Sequence, residues 1–142
     1  MMAMRRRLIY GLAVSQERRT VHAPDAPAAV GPYSHAASAG GLLFCSGQVP
    51  LDAESGKLVE GTIGEQATRC LENLEAVCRA AGASLSDAVR ATVYLTDIGG
   101  DWAEVNEAYG AYFSADPPAR VAIGVAALPM GAQVEIDAVV AI

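Results

Sequence analysis

The 142-residue sequence predicts an α+β sandwich, with two helices packed on one face of a mixed β-sheet. Three observations lead there. Two stretches carry apolar residues at helical spacing, one opened by a capping box and the other closed by a proline pair. Six short β-prone runs surround them, most bounded by Gly, Pro or Asp turns. Their order reads β-β-β-α-β-α-β-β, without internal repeats, low-complexity runs or an interdomain linker.

"TVHAP" (20–24) reads as a short opening strand, and the Pro/Ala/Gly loop "DAPAAVGP" leads into "YSHAAS" (33–38). "AGG" (39–41) is a hairpin turn signal, so "LLFCSG" (42–47) returns antiparallel. "TIGE" (62–65) is a capping box, in which the Thr62 hydroxyl and the Glu65 carboxylate satisfy orphan amides at the start of a helix. Ala67, Cys70, Leu71, Leu74, Val77, Cys78 and Ala81 follow on one helical face, and Gly82 marks the C-terminal end. "VRATVYLT" (89–96) is a strand. Asp101 is expected to cap a second helix with Trp102, Val105, Tyr109, Tyr112 and Phe113 facing inward, ended by Pro117 and Pro118. "ARVAIGVAALP" and "AQVEIDAVVAI" close the chain as two strands, separated only by a hairpin-length "PMG".

Composition narrows the function. An apolar fraction of 52% with 18% charged residues describes a well-packed globular chain rather than a disordered one. Net charge is −6, yet residues 1–20 hold five arginines against one acid. The other residues carry five cations against fifteen acids. A body that acidic repels phosphate backbones, so nucleic-acid binding is not expected, and no segment reaches the roughly 20 apolar residues of a membrane span. Residues 1–19 read as a basic extension that the domain at 20–142 can dispense with. Their arginines before "LIYGLAV" mimic a signal peptide, but Gly11 breaks the apolar run and no A-x-A site follows. Cys45, Cys70 and Cys78 show no metal or redox spacing, which favours reduced thiols and a cytoplasmic location.

Both faces of the sheet pattern bear on the site. In the last strand Val134, Ile136, Ala138 and Val140 alternate with Glu135, Asp137, Val139 and Ala141. In "DPPARVAIGV" Arg120 shares a face with Ala122, Gly124 and Ala126. The Glu135 set is mixed rather than uniformly polar, and the Arg120 row is poor in the charges of a solvated sheet, which suggests that the sheet surface left bare by the helices is covered by another copy of the chain. An arginine among small residues leaves room for an anion, and its planar fork matches a carboxylate bidentately. The competing reading is a salt bridge with Glu135 or Asp137 on an adjoining strand. Glu135, between Val134 and Ile136, has the setting of a general acid or base, or equally of a structural partner for a cation. Tyr33 reads as an interface aromatic or ligand contact, and His35 as a structural or solvent-facing histidine. Phosphate-loop, dinucleotide and zinc spacings are absent from the sequence, so no cofactor and no metal is expected.

Seven ordered blocks, "GPYSH", "FCSGQVPLD", "QATRCLENLEAVCRAAG", "ATVYLTDI", "VNEAYGAYF", "DPPAR" and "VEIDAVV", together resemble the RidA/YjgF family from about residue 20 to the end. The resemblance implies a chorismate-mutase-like fold, a homotrimer with the sheets inside, and an active site in each cleft between subunits. It also implies an enamine/imine deaminase that turns 2-imino or 2-enamino acids of the 2-aminoacrylate type into 2-keto acids and ammonia. By position, Arg120 would clamp the substrate carboxylate, Glu135 would position or deprotonate the attacking water, Tyr33 would contact the ligand, and Gly47 would place its amide beside it. Val121 and Ala122, His35, Cys45 and a "DIGGDW" loop one residue longer than usual depart from the family pattern, and bear on the preferred substrate. The alternative under the same resemblance is a non-catalytic trimer that binds 2-keto acids or acts as a chaperone.

Overall fold

The computed structural model describes residues 6–9, 12–15 and 17–142, with side chains from residue 17 onward. Strands β1 (Arg6–Ile9) and β2 (Leu12–Ser15) pair antiparallel as a separate two-stranded sheet within the basic extension. The main sheet has six strands: β3 (Arg19–Val21), β4 (Ala36–Ala39), β5 (Leu42–Gln48), β6 (Ala88–Leu95), β7 (Ala119–Gly124) and β8 (Val134–Ala141). Their spatial order is β3-β4-β5-β8-β6-β7. Helices α1 (Ile63–Ala80) and α2 (Ile98–Tyr112) complete the expected α+β architecture.

Local chemistry sets most boundaries. Gly40 and Gly41 take φ of 60° and 81°, the left-handed pair that a two-residue hairpin needs, and Ala39 faces Leu42 across it. At α1 the capping box closes in both directions: Glu65 N–H donates to Thr62 Oγ1 (3.1 Å), and Thr62 N–H donates to Glu65 Oε1 (3.2 Å). At its other end the Gly82 amide donates to the Arg79 carbonyl and the Ala83 amide to that of Cys78, the Schellman arrangement. Cys70 and Cys78 are fully buried on the inner face of α1, as read from the sequence. Leu71, Leu74 and Val77 of α1 pack with Leu43, Val93, Leu95, Ile136 and Val140 of the sheet, all within one core. Each such side chain contributes about 1.5–3 kcal/mol by leaving water.

Two expectations require correction. Helix α2 begins at Ile98, capped by Asp97 rather than Asp101; Asp97 Oδ1 accepts from the Gly100 amide (3.2 Å). Two poor helix formers, Gly99 and Gly100, hide the first turn, which is tolerated because the cap satisfies its amides. The last two strands are also no hairpin, and β7 ends at Gly124. Strand β7 follows α2 and lies parallel to β6, as a helical crossover permits, while β8 inserts antiparallel between β5 and β6. "PMG" forms a 3-10 turn that sends the chain past β6 instead of back along β7.

The strand order also decides which face is which. Ala91, Val93 and Leu95 of β6 are core residues. They stand beside Arg120, Ala122 and Gly124 in register, so the Arg120 row points towards the helices. The bare face carries Phe44, Val121 and Ile123, exposed by 50%, 44% and 39%, with Thr92, Tyr94, Glu135, Asp137 and Val139 between them. The face that remains bare is mixed, with half-exposed Phe44, Val121 and Ile123 flanking the acidic pair Glu135 and Asp137, and it is made by the neighbours of Arg120, not by its own row.

Candidate active site

Strand β5, the loop before β4 and the start of β8 frame a cleft of about 360 Å³. Tyr33, Gly47 and Glu135 all line it, with Val30, Ser46 and Met130. The sequence thus places three of its four candidate residues in one cavity. Gly47 lies at the irregularity in the β5–β8 pairing, where the register shifts between Cys45 and Gln48. A side chain there would push the carboxylate aside: an added Cβ would lie 2.9 Å from Glu135 Cδ and collide with the carboxylate oxygen. The Glu135 carboxylate therefore rests directly on the Gly47 backbone. Burial, and then the neighbouring Asp137 carboxylate, push the Glu135 carboxyl above its ordinary pKa. Asp137 is itself engaged as acceptor of the Tyr94 hydroxyl (2.9 Å).

The cleft loop is pinned by a residue whose role was open in the sequence. His35 is 2% exposed. Its Nδ1 accepts from the Ala23 amide (2.9 Å), so the ring's proton sits on Nε2, which donates to the Pro27 carbonyl (2.8 Å). One imidazole thus staples both ends of the segment that presents Val30 and Tyr33. Ser46 Oγ donates to the Ser34 carbonyl (2.7 Å), and buried Asn73 of α1 donates to the Val49 and Leu51 carbonyls below the cleft. Neither histidine nor asparagine role has a local sequence signal, because each partner lies 8 to 24 residues away.

Arg120 stands apart from this cleft. It lines a second concavity of about 320 Å³ with Asn106, Tyr109, Gly110, Phe113 and the two prolines before it. The salt bridge to Glu135 or Asp137 considered from the sequence does not form within the chain, since β6 separates β7 from β8. Instead Nη1 donates to Asn106 Oδ1 (2.9 Å), and the guanidinium lies over the Trp102 and Tyr109 rings at 4.9 and 4.7 Å from their centroids. Trp102, expected inside, is partly exposed and forms part of this cradle. Among the described residues Arg120 has no ion pair.

The three thiols are free and buried. Burial pushes the Cys70 thiol pKa up, and a hydrogen bond with Cys45, then burial, does the same for Cys78. Among the described residues no three His, Cys, Asp or Glu side chains gather as a metal site, and no helix is long and apolar enough to cross a membrane.

The sequence model of the family described as Endoribonuclease L-PSP matches residues 23–142. The chain belongs to this family, the RidA/YjgF family of the sequence resemblance. Protein DfrA of Myxococcus xanthus is 50% identical over 124 residues, covering 86% of this chain and 94% of its own length. A protein of Mus musculus named 2-iminobutanoate/2-iminopropanoate deaminase is 45% identical over 122 residues, covering 86% and 90%. The crystal structure of RidA from an Antarctic Psychrobacter superimposes with a TM-score of 0.82 at 45% identity, covering 87% of this chain and 99% of that one. The fold is thus that of the RidA/YjgF proteins.

Proposed function

We propose that this RidA/YjgF protein is an enamine/imine deaminase. It hydrolyses 2-imino and 2-enamino acids to 2-keto acids and ammonia, without a cofactor, in clefts shared between copies of the chain in a cytoplasmic homotrimer. The observation that carries the proposal is the Glu135 carboxylate held against Gly47 in the Tyr33 cleft, with its pKa raised. The mouse relative's name supports the same chemistry.

The reaction asks little of the protein. Water adds to the imine carbon, one water proton passes to Glu135, and the carbinolamine then collapses as its C–N bond breaks. Glu135 returns its proton to nitrogen and the carbinolamine hydroxyl gives up the second, so ammonia leaves with both water protons and the carbonyl remains. A carboxylate with a raised pKa serves both steps, because it takes and returns a proton nearer neutrality than an ordinary glutamate. Tyr33 and the Gly47 amide orient the ligand, and orientation supplies much of the gain for a reaction that already proceeds in water. The substrate carboxylate needs a cation, and among the described residues the cleft's walls contain none. Arg120 of an adjoining copy fills that role if the bare face of Phe44, Val121 and Ile123 is the trimer contact. The endoribonuclease description fits this chain less well, since fifteen acids face five cations beyond residue 20.

The test generates a panel of 2-imino acids with an amino-acid oxidase and traps the unconsumed imine with semicarbazide. Wild type should lower the trapped signal, and Arg120→Ala and Glu135→Gln of the same oligomeric state should not. A wild type that lowers it for no substrate, yet binds 2-keto acids, would leave the non-catalytic binding role in its place.

A further inference from the structure

We propose that Asn106, with Trp102 and Tyr109, is the positioning device that keeps Arg120 un-neutralised and aimed as a carboxylate receptor. This rests on the reading of Arg120 as the substrate clamp and names the residues that make the clamp work.

Trp102, Asn106 and Tyr109 stand at i, i+4 and i+7 of α2, so they form one face of the helix. All three touch the same guanidinium, two rings by their faces and one amide by its oxygen. None of them is anionic. That is a selective feature, because the same stretch carries Asp97, Asp101, Glu104 and Glu107. Glu104 is turned to the other side of the helix, where it accepts from the Gly64 amide of α1 (2.6 Å). The strongest partner available to a guanidinium, a carboxylate, is thus kept off the one face that holds it. Two cation–π contacts and a neutral acceptor fix the plane of the group while leaving its charge to be met by a ligand. A structural arginine gains most from an ion pair; a receptor arginine loses its function in one. Tyr109 adds a second sign that this corner is not built for stability alone. Among the described residues its buried hydroxyl has no hydrogen-bond partner, and the contact it does make is that of its ring face with the guanidinium.

The isosteric exchange Asn106→Asp separates the two roles. It keeps the shape and the hydrogen bond to Arg120 and adds a full negative charge. If Asn106 only braces the fold, the new ion pair leaves function unchanged. If it keeps the receptor un-neutralised, the aspartate competes with the substrate carboxylate. Calorimetric binding of 2-oxobutanoate and steady-state kinetics on its imine would be measured for wild type, Asn106→Ala, Asn106→Asp and Arg120→Ala, each verified as the same oligomer. Affinity should fall in the order wild type, Asn106→Ala, Asn106→Asp, with the last weaker by about tenfold or more. Its KM should rise by a similar factor while kcat stays within about twofold. Asn106→Asp binding as well as wild type, or better than Asn106→Ala, would overturn the positioning role alone. Arg120→Ala binding as well as wild type would overturn the clamp itself, and the positioning role with it.

Discussion

At the scale of single residues, Glu135 carries opposing demands. Its pKa in the folded chain lies above its value in the unfolded chain, so over that window the native state holds a proton the unfolded state has released. Stability therefore falls as pH rises through the window, and the ionised carboxylate is a net cost at neutral pH. Glu135→Gln is expected to melt at or above the wild-type temperature at pH 7 while losing about 100-fold or more of the rate. Calorimetry and the trapping assay check both halves. The pH–rate profile of wild type should lose activity as pH drops through the raised pKa, with a midpoint above the ordinary carboxylate range. Gly47→Ala tests the other side of the same contact. Its Cβ displaces the carboxylate, and the rate on imine substrates should fall about 10–100-fold with the fold retained.

At the scale of elements, the cleft depends on a loop held by one ring. His35→Ala leaves the Ala23 amide and Pro27 carbonyl without their partner, at an expected cost of about 2–4 kcal/mol in denaturant titrations. The same variant should raise KM and speed hydrogen exchange across residues 23–35, and His35→Gln should recover part of the loss because an amide can both accept and donate. Helix α1 was legible in the sequence down to its capping box, since caps act over three or four residues and leave a local trace. The strand order was not. Strands β7 and β8 look like a hairpin because partner choice depends on which strand a helical crossover delivers to, which no two-residue alternation encodes. The same limit governed Arg120: alternation established that it shares a row with Ala122 and Gly124, but not that the row faces α2. Tyr33, Gly47 and Glu135 could be assembled in advance only by family resemblance, as they come from a loop, an irregular strand and a distant one.

At the scale of the whole molecule, the division of the candidate residues is the central fact. Three line one cleft, and the cation that would complete it stands on the far edge strand, pointing to the other side of the sheet. Half-exposed Phe44, Val121 and Ile123 lie on the bare face and give a second copy a surface to cover. Mixing Arg120→Ala chains with Glu135→Gln chains tests this most directly. Each variant alone should be inactive. Denatured together in equal amounts and refolded, they should regain about a quarter of wild-type activity, the share of contacts that draw an intact arginine from one copy and an intact glutamate from its neighbour. Mixed oligomers that form yet stay inactive would contradict a site shared between copies.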